Sequence, residues 1–139
     1  MPVISDDITV NTRGYCDIID ITPQVCQKIK SSGIKNGIVT LFVRGSTGAI
    51  TTIEYEPGVV NDLKDAIERI APQDIAYKHD ARWGDGNGFS HVRAALIGAS
   101  FSAPVKDGSP TLGTWQQIVL IDFDNRSRKR SIVVQIIGE

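Results

Sequence analysis

A chain of 139 residues with 15 basic and 16 acidic side chains has almost no net charge, which excludes the strongly basic composition typical of nucleic-acid-binding proteins. Its length predicts a single domain over residues 1–139, and its two cysteines, Cys16 and Cys26, are expected to be small buried hydrophobes rather than a disulfide. The sequence has no apolar run of the ~20 residues that cross a bilayer and no signal peptide at Met1–Asp7, which predicts a cytoplasmic protein without a membrane partner.

The chain opens with two predicted strands and a helix. In residues 8–13 and 15–21, β-branched side chains alternate with polar ones, which predicts two strands joined as a short hairpin or meander. A helix should follow, because the Thr22 hydroxyl can cap it, Pro23 suits its first position, and Gly33 can end it in a left-handed conformation.

The next three elements are two strands and a second helix. Residues 37–43 are nearly all apolar, as expected for a central strand covered on both faces. Residues 49–55 form the next predicted strand, on which Glu54 shares a face with small polar residues. Residues 59–71 carry apolar side chains at helical spacing and predict an amphipathic helix.

The segment Tyr77–Gln117 contains both histidines and both tryptophans of the chain. Its glycine-rich run, residues 84–88, leads into a predicted helix with Ser90 as N-cap and His91 in the first turn. Unpaired backbone N–H groups at such a position favour an anion, but a glycine-rich run is also typical of a flexible surface loop. The residues alone leave both interpretations open.

Three strands are predicted in the last third of the chain, over residues 98–105, 114–123 and 131–137. The last two are apolar on both faces, so they should be central and covered by helices or by a second sheet. Between them lies a basic cluster that follows two aspartates and predicts a turn with solvated charges: Arg126, Arg128, Lys129 and Arg130.

The two histidines are candidate metal ligands, although the spacing of His79 and His91 matches no known zinc motif. A metal would need a further ligand from the nearby carboxylates, for which the candidates are Glu54, Asp80 and Asp85. Histidine with carboxylate suits Zn, Mn or Fe better than Mg alone. His91 can instead serve as an acid or base, and both can equally be ordinary hydrogen-bonded imidazoles.

Other polar positions have two open interpretations each. The hydroxyls of Ser46 and Thr47 lie in a predicted turn and can reach a phosphate or cap their own backbone. Trp115 and Gln116 are neighbours at the start of a predicted strand, so one should face the core and the other a pocket.

Several segments together resemble the YjbQ-like family, whose members carry the name secondary thiamine-phosphate synthase. They are Gly45–Glu54, His79-Asp80, Asn87, Ser90–Ser100, Pro104-Val105, Leu112–Gln116 and Val133–Gln135. The match covers the chain from about Thr40 to its end. It implies an α+β fold with a mixed or antiparallel β-sandwich-like core and about three helices. It also implies a homotrimer with sites near the subunit boundaries.

The resemblance also implies an activity and a set of site residues. The expected reaction joins a pyrimidine pyrophosphate to a thiazole phosphate, so the partner would be a phosphorylated small molecule and the cofactor a divalent ion, Mg, Zn or Mn. Expected catalytic residues are Glu54, Asn87, His91 and Gln116. Expected phosphate-binding or substrate-binding residues are Ser46, Thr47, Ser90 and Trp115. Expected metal ligands are His79, Asp80 and His91.

One departure from the family pattern keeps other functions open. Gly45 stands where many members have a histidine, which removes a possible third imidazole ligand. This substitution favours a non-catalytic anion-binding module, whereas a metal-dependent hydrolase of a phosphorylated small molecule would use the same remaining groups to activate water.

Overall fold

The computed structural model describes all 139 residues and contains two antiparallel β-sheets and four helices. The strands are β1 (Val3–Asn11), β2 (Asp17–Asp20), β3 (Gly37–Val43), β4 (Gly48–Ile53), β5 (Ser100–Lys106), β6 (Ser109–Pro110), β7 (Gln117–Asp122) and β8 (Lys129–Gly138). The helices are α1 (Thr22–Ser32), α2 (Pro57–Ile70), α3 (Lys78–Trp83) and α4 (Gly88–Ile97). The large sheet has the order β1-β8-β3-β5-β6 and the small sheet the order β2-β7-β4.

The predicted α+β fold with a sandwich-like core is confirmed, and its layers follow from the two buried clusters. The first cluster joins the inner face of the large sheet to α1 and to one face of the small sheet, where Leu41, Ile118 and Val25 are fully buried. The second cluster joins the other face of the small sheet to α2 and α4. Strand β7 is therefore covered on both faces, as its apolar sequence predicts.

Strand β3 is central in its sheet, but the prediction that both of its faces are covered is wrong. Its side chains alternate between buried and exposed, and Ile38 and Phe42 on the outer face are 54% and 48% exposed. Apolar composition alone does not distinguish a strand with two covered faces from one with a single covered face. The large sheet thus has an outer face that no helix of the same chain covers. The prediction that both faces of the last strand, β8, are covered is wrong for the same reason, because its burial alternates and Ile137 is exposed.

The predicted opening hairpin is also wrong, because its two strands belong to different sheets. Strand β1 pairs with β8 and strand β2 pairs with β7, both antiparallel. Between the two strands Gly14, Tyr15 and Cys16 all have positive φ angles, and this left-handed run turns the chain from one sheet to the other. Cys16 and Cys26 are both free thiols; Cys16 is buried as predicted, whereas Cys26 is only partly buried.

Two element boundaries differ from prediction for identifiable reasons. The hydroxyl of Thr22 accepts a hydrogen bond from the N–H of Ile118 at 2.8 Å, so it links α1 to β7 instead of capping the helix. The long strand predicted from residue 114 begins only at Gln117, because the preceding residues form a turn closed by a hydrogen bond from the Gln116 N–H to the Gly113 carbonyl. None of the four helices is both long and apolar enough to span a membrane.

Helix α3 was not predicted, and its contact with α4 positions both histidines. Gly88, the first residue of α4, lies so close to α3 that a Cβ atom there would be 2.6 Å from the Cβ of Tyr77. Only glycine permits this approach. On the other side of α4, the buried Arg93 donates to the Ala71 carbonyl at 2.9 Å and lies over the Phe89 ring, which fixes the helix against the rest of the fold.

Candidate functional site

A polar cavity of about 500 Å³ lies where α3, α4, the turn before β4 and the connection from β7 to β8 meet. Trp83 is its only hydrophobic lining residue. The lining residues are Gly45, Ser46, Thr47, His79, Trp83, Asp85, Asn87, His91, Arg128 and Arg130. Folding therefore brings together the two histidines, the glycine-rich segment and the serine–threonine turn, which are distant in the sequence.

At one side of the cavity, a single imidazole nitrogen faces two carboxylates. Nδ1 of His79 lies 3.3 Å from Oδ1 of Asp80 and 3.3 Å from Oδ1 of Asp85. Because Nδ1 carries at most one proton, it cannot make full hydrogen bonds to both. Ligands about 2.1 Å from a tetrahedral metal ion are separated by about 3.4 Å, close to the separations seen here. Two of the three separations thus match those between metal ligands, and all three ligand atoms lie within 4.8 Å of one another.

The ring of His91 lies against that of His79, with centroids 4.4 Å apart and planes inclined by 37°. His91 does not belong to the group of three ligand atoms, which instead contains Asp85. The Oδ1 atom of Asp80 accepts a hydrogen bond from the Gly88 N–H at 2.8 Å, which holds this carboxylate at the start of α4. Of the predicted ligands, His79 and Asp80 lie together, and His91 packs beside them.

The start of α4 differs from the prediction. Its N-cap is Asn87, and Ser90 lies within the first turn, fully buried, with its hydroxyl donating to the Asn87 carbonyl at 2.6 Å. One N–H at this helix end already donates to Asp80, so the end is occupied by a carboxylate of the same chain. Ser90 therefore stabilises the helix start and does not line the cavity.

The opposite side of the cavity is basic, and the interpretation of its arginines as solvated turn charges is wrong. Arg130 is 6% exposed and donates to the buried carboxylate of Asp122 at 2.7 Å. Arg128 donates through Nε and Nη2 to one oxygen of the buried Asp124, at 2.9 and 2.6 Å. Two carboxylates at the end of an apolar strand need such partners, because an unpaired buried charge is strongly unfavourable.

Asp124 is the centre of this polar network. Burial alone would raise the pKa of Asp124, but hydrogen bonds from Arg128, Asn87, the N–H of Asn125 and Thr47 outweigh burial and lower the pKa to about 2. The carboxylate is therefore ionised at neutral pH. It holds residues from α4, the turn before β4 and the start of β8 in one arrangement.

In the serine–threonine turn, the Thr47 hydroxyl is less available to a ligand than predicted. The Thr47 hydroxyl donates its proton to Asp124 at 3.0 Å and accepts from Arg130 at 2.6 Å, whereas Ser46 is exposed at the cavity. Gly45 has a φ angle of +99°, and a Cβ there would lie 2.9 Å from Nη1 of Arg130. The guanidinium of Arg130 thus lies in the space beside the position where a family histidine is expected.

Three predicted site residues lie elsewhere in the chain. Glu54 and Trp115 line a separate acidic cavity of about 420 Å³, and Trp115 is 74% exposed. Gln116 is exposed, accepts from the Gly113 N–H and donates to the Thr52 hydroxyl at 3.2 Å. The structure therefore separates Glu54, Trp115 and Gln116 from the histidines, and it keeps Asn87 beside them.

Comparison with known proteins places this architecture in a family. The model of the family described as UPF0047 protein YjbQ-like matches residues 6–139. The chain belongs to the YjbQ-like family. A UPF0047 protein of Methanothermobacter thermautotrophicus is 40% identical over 139 residues, which is 100% of this chain and 95% of the relative. A UPF0047 protein of Archaeoglobus fulgidus is 35% identical over 91% of this chain and 97% of the relative.

Solved structures of similar proteins share the fold. The structure of a YbjQ-like protein of unknown function from Sulfolobus solfataricus P2 superposes with a TM-score of 0.94 at 39% identity, covering 99% of each chain. A hypothetical protein from Aeropyrum pernix K1 superposes with a TM-score of 0.90 at 29% identity, covering 98% of this chain and 99% of the other.

These findings correct the predicted activity. The relatives are known only as UPF0047 proteins, and the structure from Sulfolobus solfataricus is that of a protein of unknown function. The YjbQ-like family therefore has no established reaction, and the prediction of a thiamine-phosphate synthase-like transferase is wrong.

The sequence-based prediction missed the arginine side of the cavity. The available signal was the segment Leu120–Asp124, in which Asp122 and Asp124 interrupt an apolar strand. Such carboxylates require nearby cations if the strand is buried, and the nearest along the chain are Arg128 and Arg130.

Proposed function

We propose that this protein binds a divalent transition-metal ion and, beside it, a phosphorylated small molecule. The observation that carries the proposal is the position of His79 Nδ1, 3.3 Å from one oxygen of Asp80 and 3.3 Å from one of Asp85. Two carboxylates and a neutral imidazole have a combined charge of minus two, which a divalent cation would neutralise. The mixed nitrogen and oxygen ligands favour Zn or Mn over Mg.

The opposite side of the same cavity supports an anionic ligand. Arg130 lines the cavity, is 6% exposed, and its Nε makes no hydrogen bond. Arg128 is partly exposed there, and Ser46 offers a free surface hydroxyl. A guanidinium group is suited to bind phosphate oxygens through paired donors. A cavity of about 500 Å³ is large enough for a small metabolite.

Different residues of the cavity would bind the cation and the phosphorylated molecule. His79, Asp80 and Asp85 would hold the cation, which when bound supplies positive charge to a phosphate oxygen. Arg128, Arg130 and Ser46 would bind the remaining oxygens. His91 packs on His79 and lines the cavity, so its ring nitrogens can donate to the ligand or exchange a proton with it.

Calorimetric titration of the metal-free protein tests this proposal. Zn²⁺ or Mn²⁺ should bind with one-to-one stoichiometry, and inorganic phosphate or a simple phosphate monoester should bind more tightly once metal is present. The His79→Ala variant should lose metal binding, and its phosphate affinity should no longer respond to metal. Asp65→Asn, which alters an exposed carboxylate on α2, is the control and should bind as the wild type does.

The two halves of the site can be separated with His91→Phe. Phenylalanine keeps a ring against His79 but removes both ring nitrogens, so metal affinity should be retained while phosphate binding weakens. Wild-type protein that binds neither Zn²⁺ nor Mn²⁺ would refute the proposal. Equal phosphate affinity with and without metal would remove the coupling between the two ligands.

We also propose that the chain forms the homotrimer that the family resemblance implies. The support is the outer face of the large sheet, which exposes Ile38, Phe42 and Ile137, 54%, 48% and 39% exposed respectively. An exposed apolar sheet face is typical of a surface that meets another protein. Sedimentation velocity should give a trimer that Phe42→Ser weakens, and a monomer at all concentrations would contradict this assembly.

A further inference from the structure

We propose that Asn87 provides its side-chain oxygen as a further ligand of the cation at His79, Asp80 and Asp85. Asp124 is the positioning residue that determines which end of the Asn87 amide faces the cavity. This inference rests on the proposed metal site and adds to it a ligand and the residue that orients that ligand.

The first observation is an unpartnered buried atom. Asn87 is 7% exposed, and its Oδ1 has no hydrogen-bond partner, although the residue lines the cavity. A buried polar oxygen without a partner costs about 1–3 kcal/mol, so such an atom in a folded protein calls for a ligand. This atom is an acceptor, and a cation is a partner that an acceptor oxygen can bind.

The second observation fixes the orientation of the amide. Nδ2 of Asn87 donates to Oδ1 of Asp124 at 3.2 Å, and the same oxygen accepts from the Asn125 N–H at 2.8 Å. The other oxygen of Asp124 accepts from Arg128 and Thr47. An ionised carboxylate can only accept, so a rotated amide would place oxygen against oxygen. The amide nitrogen must therefore face Asp124, which leaves the buried oxygen without a hydrogen-bond partner.

The third observation places Asn87 beside the proposed ligands. The next residue, Gly88, donates its N–H to Oδ1 of Asp80 at 2.8 Å, and this oxygen is 3.3 Å from Nδ1 of His79. The other end of the glycine-rich loop is fixed as well, because the Asn125 side chain donates to the Asp85 carbonyl at 2.8 Å. Gly88, which follows Asn87, and Asp85, which precedes it by two residues, are thus both fixed by hydrogen bonds.

One nitrogen and three oxygens form a ligand set with more oxygen than a structural zinc site. Carboxylate and amide oxygens suit Mn²⁺, whereas thiolates and imidazoles dominate at sites for softer ions. Partners that orient a metal ligand commonly change metal affinity by about 10–100-fold when removed, even though they do not touch the ion. Asp124 meets that description, because it contacts Asn87 and is fully buried.

The experiment uses Co²⁺ as a probe, because its visible absorption reports the number and type of its ligands. Titrations compare the wild type with Asn87→Leu, which keeps the side-chain shape but lacks the oxygen, and with Asn87→Asp, which keeps an oxygen. Thr22→Val is the matched control, because it removes a partly buried hydroxyl that accepts from the Ile118 N–H and lies outside the cavity lining. Thermal denaturation verifies that each variant is folded.

Asn87→Leu should bind Co²⁺ at least about tenfold more weakly, with a changed absorption spectrum, whereas Thr22→Val should match the wild type. Asn87→Asp keeps an oxygen for the cation and should retain the wild-type spectrum, but its melting temperature should fall because a second carboxylate oxygen then faces Asp124. If the wild type binds Co²⁺ and Asn87→Leu shows the same affinity and spectrum, Asn87 is not a ligand and only this inference fails. If Asn87→Leu weakens phosphate binding alone, the amide contacts the anion and the inference is also refuted. A wild type that binds no metal refutes the proposed function itself.

Discussion

The buried carboxylate of Asp124 makes a quantitative prediction about acid stability. Its pKa falls from an ordinary 3.8 to about 2 in the folded protein, because donated hydrogen bonds outweigh the effect of burial. This shift corresponds to about 2 kcal/mol of folding free energy. Because the folded pKa is the lower one, the stabilisation is complete above the unfolded pKa. It is lost as the pH falls from about 4 to about 2.

The test compares urea unfolding of the wild type and Asp124→Asn, both kept free of metal, between about pH 7 and pH 2. The free energy of unfolding of the wild type should exceed that of the variant at neutral pH, and the difference should shrink by about 2 kcal/mol below about pH 4. Taking the difference cancels the other carboxyl groups that titrate in the same range. A constant difference for Asp124→Asn would refute the reasoning.

Three further predictions concern packing, capping and backbone conformation. In the monomeric protein, Leu41→Ala should lower the free energy of unfolding by about 2–5 kcal/mol, and Phe42→Ala by much less, because the first side chain is fully buried and the second is 48% exposed. The reverse order in urea would contradict the assignment of sheet faces. Glu56→Ala should lower the urea midpoint, because the Glu56 side chain accepts hydrogen bonds from two N–H groups at the start of α2. These bonds lower the pKa of Glu56, so the effect of the substitution should disappear in acid, where the carboxyl group is protonated. An unchanged loss in acid would count against the cap. Gly45→Ala should lower the melting temperature more than Gly33→Ala. Both glycines have positive φ, but only at position 45 would the new Cβ meet a neighbour, a guanidinium nitrogen of Arg130 at 2.9 Å. Equal losses would show that this contact relaxes freely.

Where local signals are strong, the sequence predicted the elements well. The left-handed Gly33 ends α1 as predicted, with φ of +75°, and the apolar periodicity of residues 59–71 matches α2 at Pro57–Ile70. These features depend on residues close in the chain. Capping groups and helical spacing act over one or two turns, so they can be recognised without the fold.

The opening strands show where local signals are insufficient. Alternation predicts a strand, but it does not say which strand is its neighbour, and here β1 and β2 enter different sheets. The same limit applies to the candidate site. Its serine–threonine turn, histidines and arginines come from segments up to 85 residues apart, counting from Gly45 to Arg130, and only the packing of two sheets and four helices brings them to one cavity.

The sequence by itself determined the chemical groups, the family and most helices and strands, because these depend on residue type and short-range spacing. The tertiary structure decided which of those groups act together. It placed Asp85 rather than His91 with the other ligand atoms, buried Arg130 against Asp122, and separated Glu54 from both histidines. The physical reason is that burial and hydrogen bonding are satisfied by neighbours in space, and those neighbours are fixed only when the sheets and helices pack.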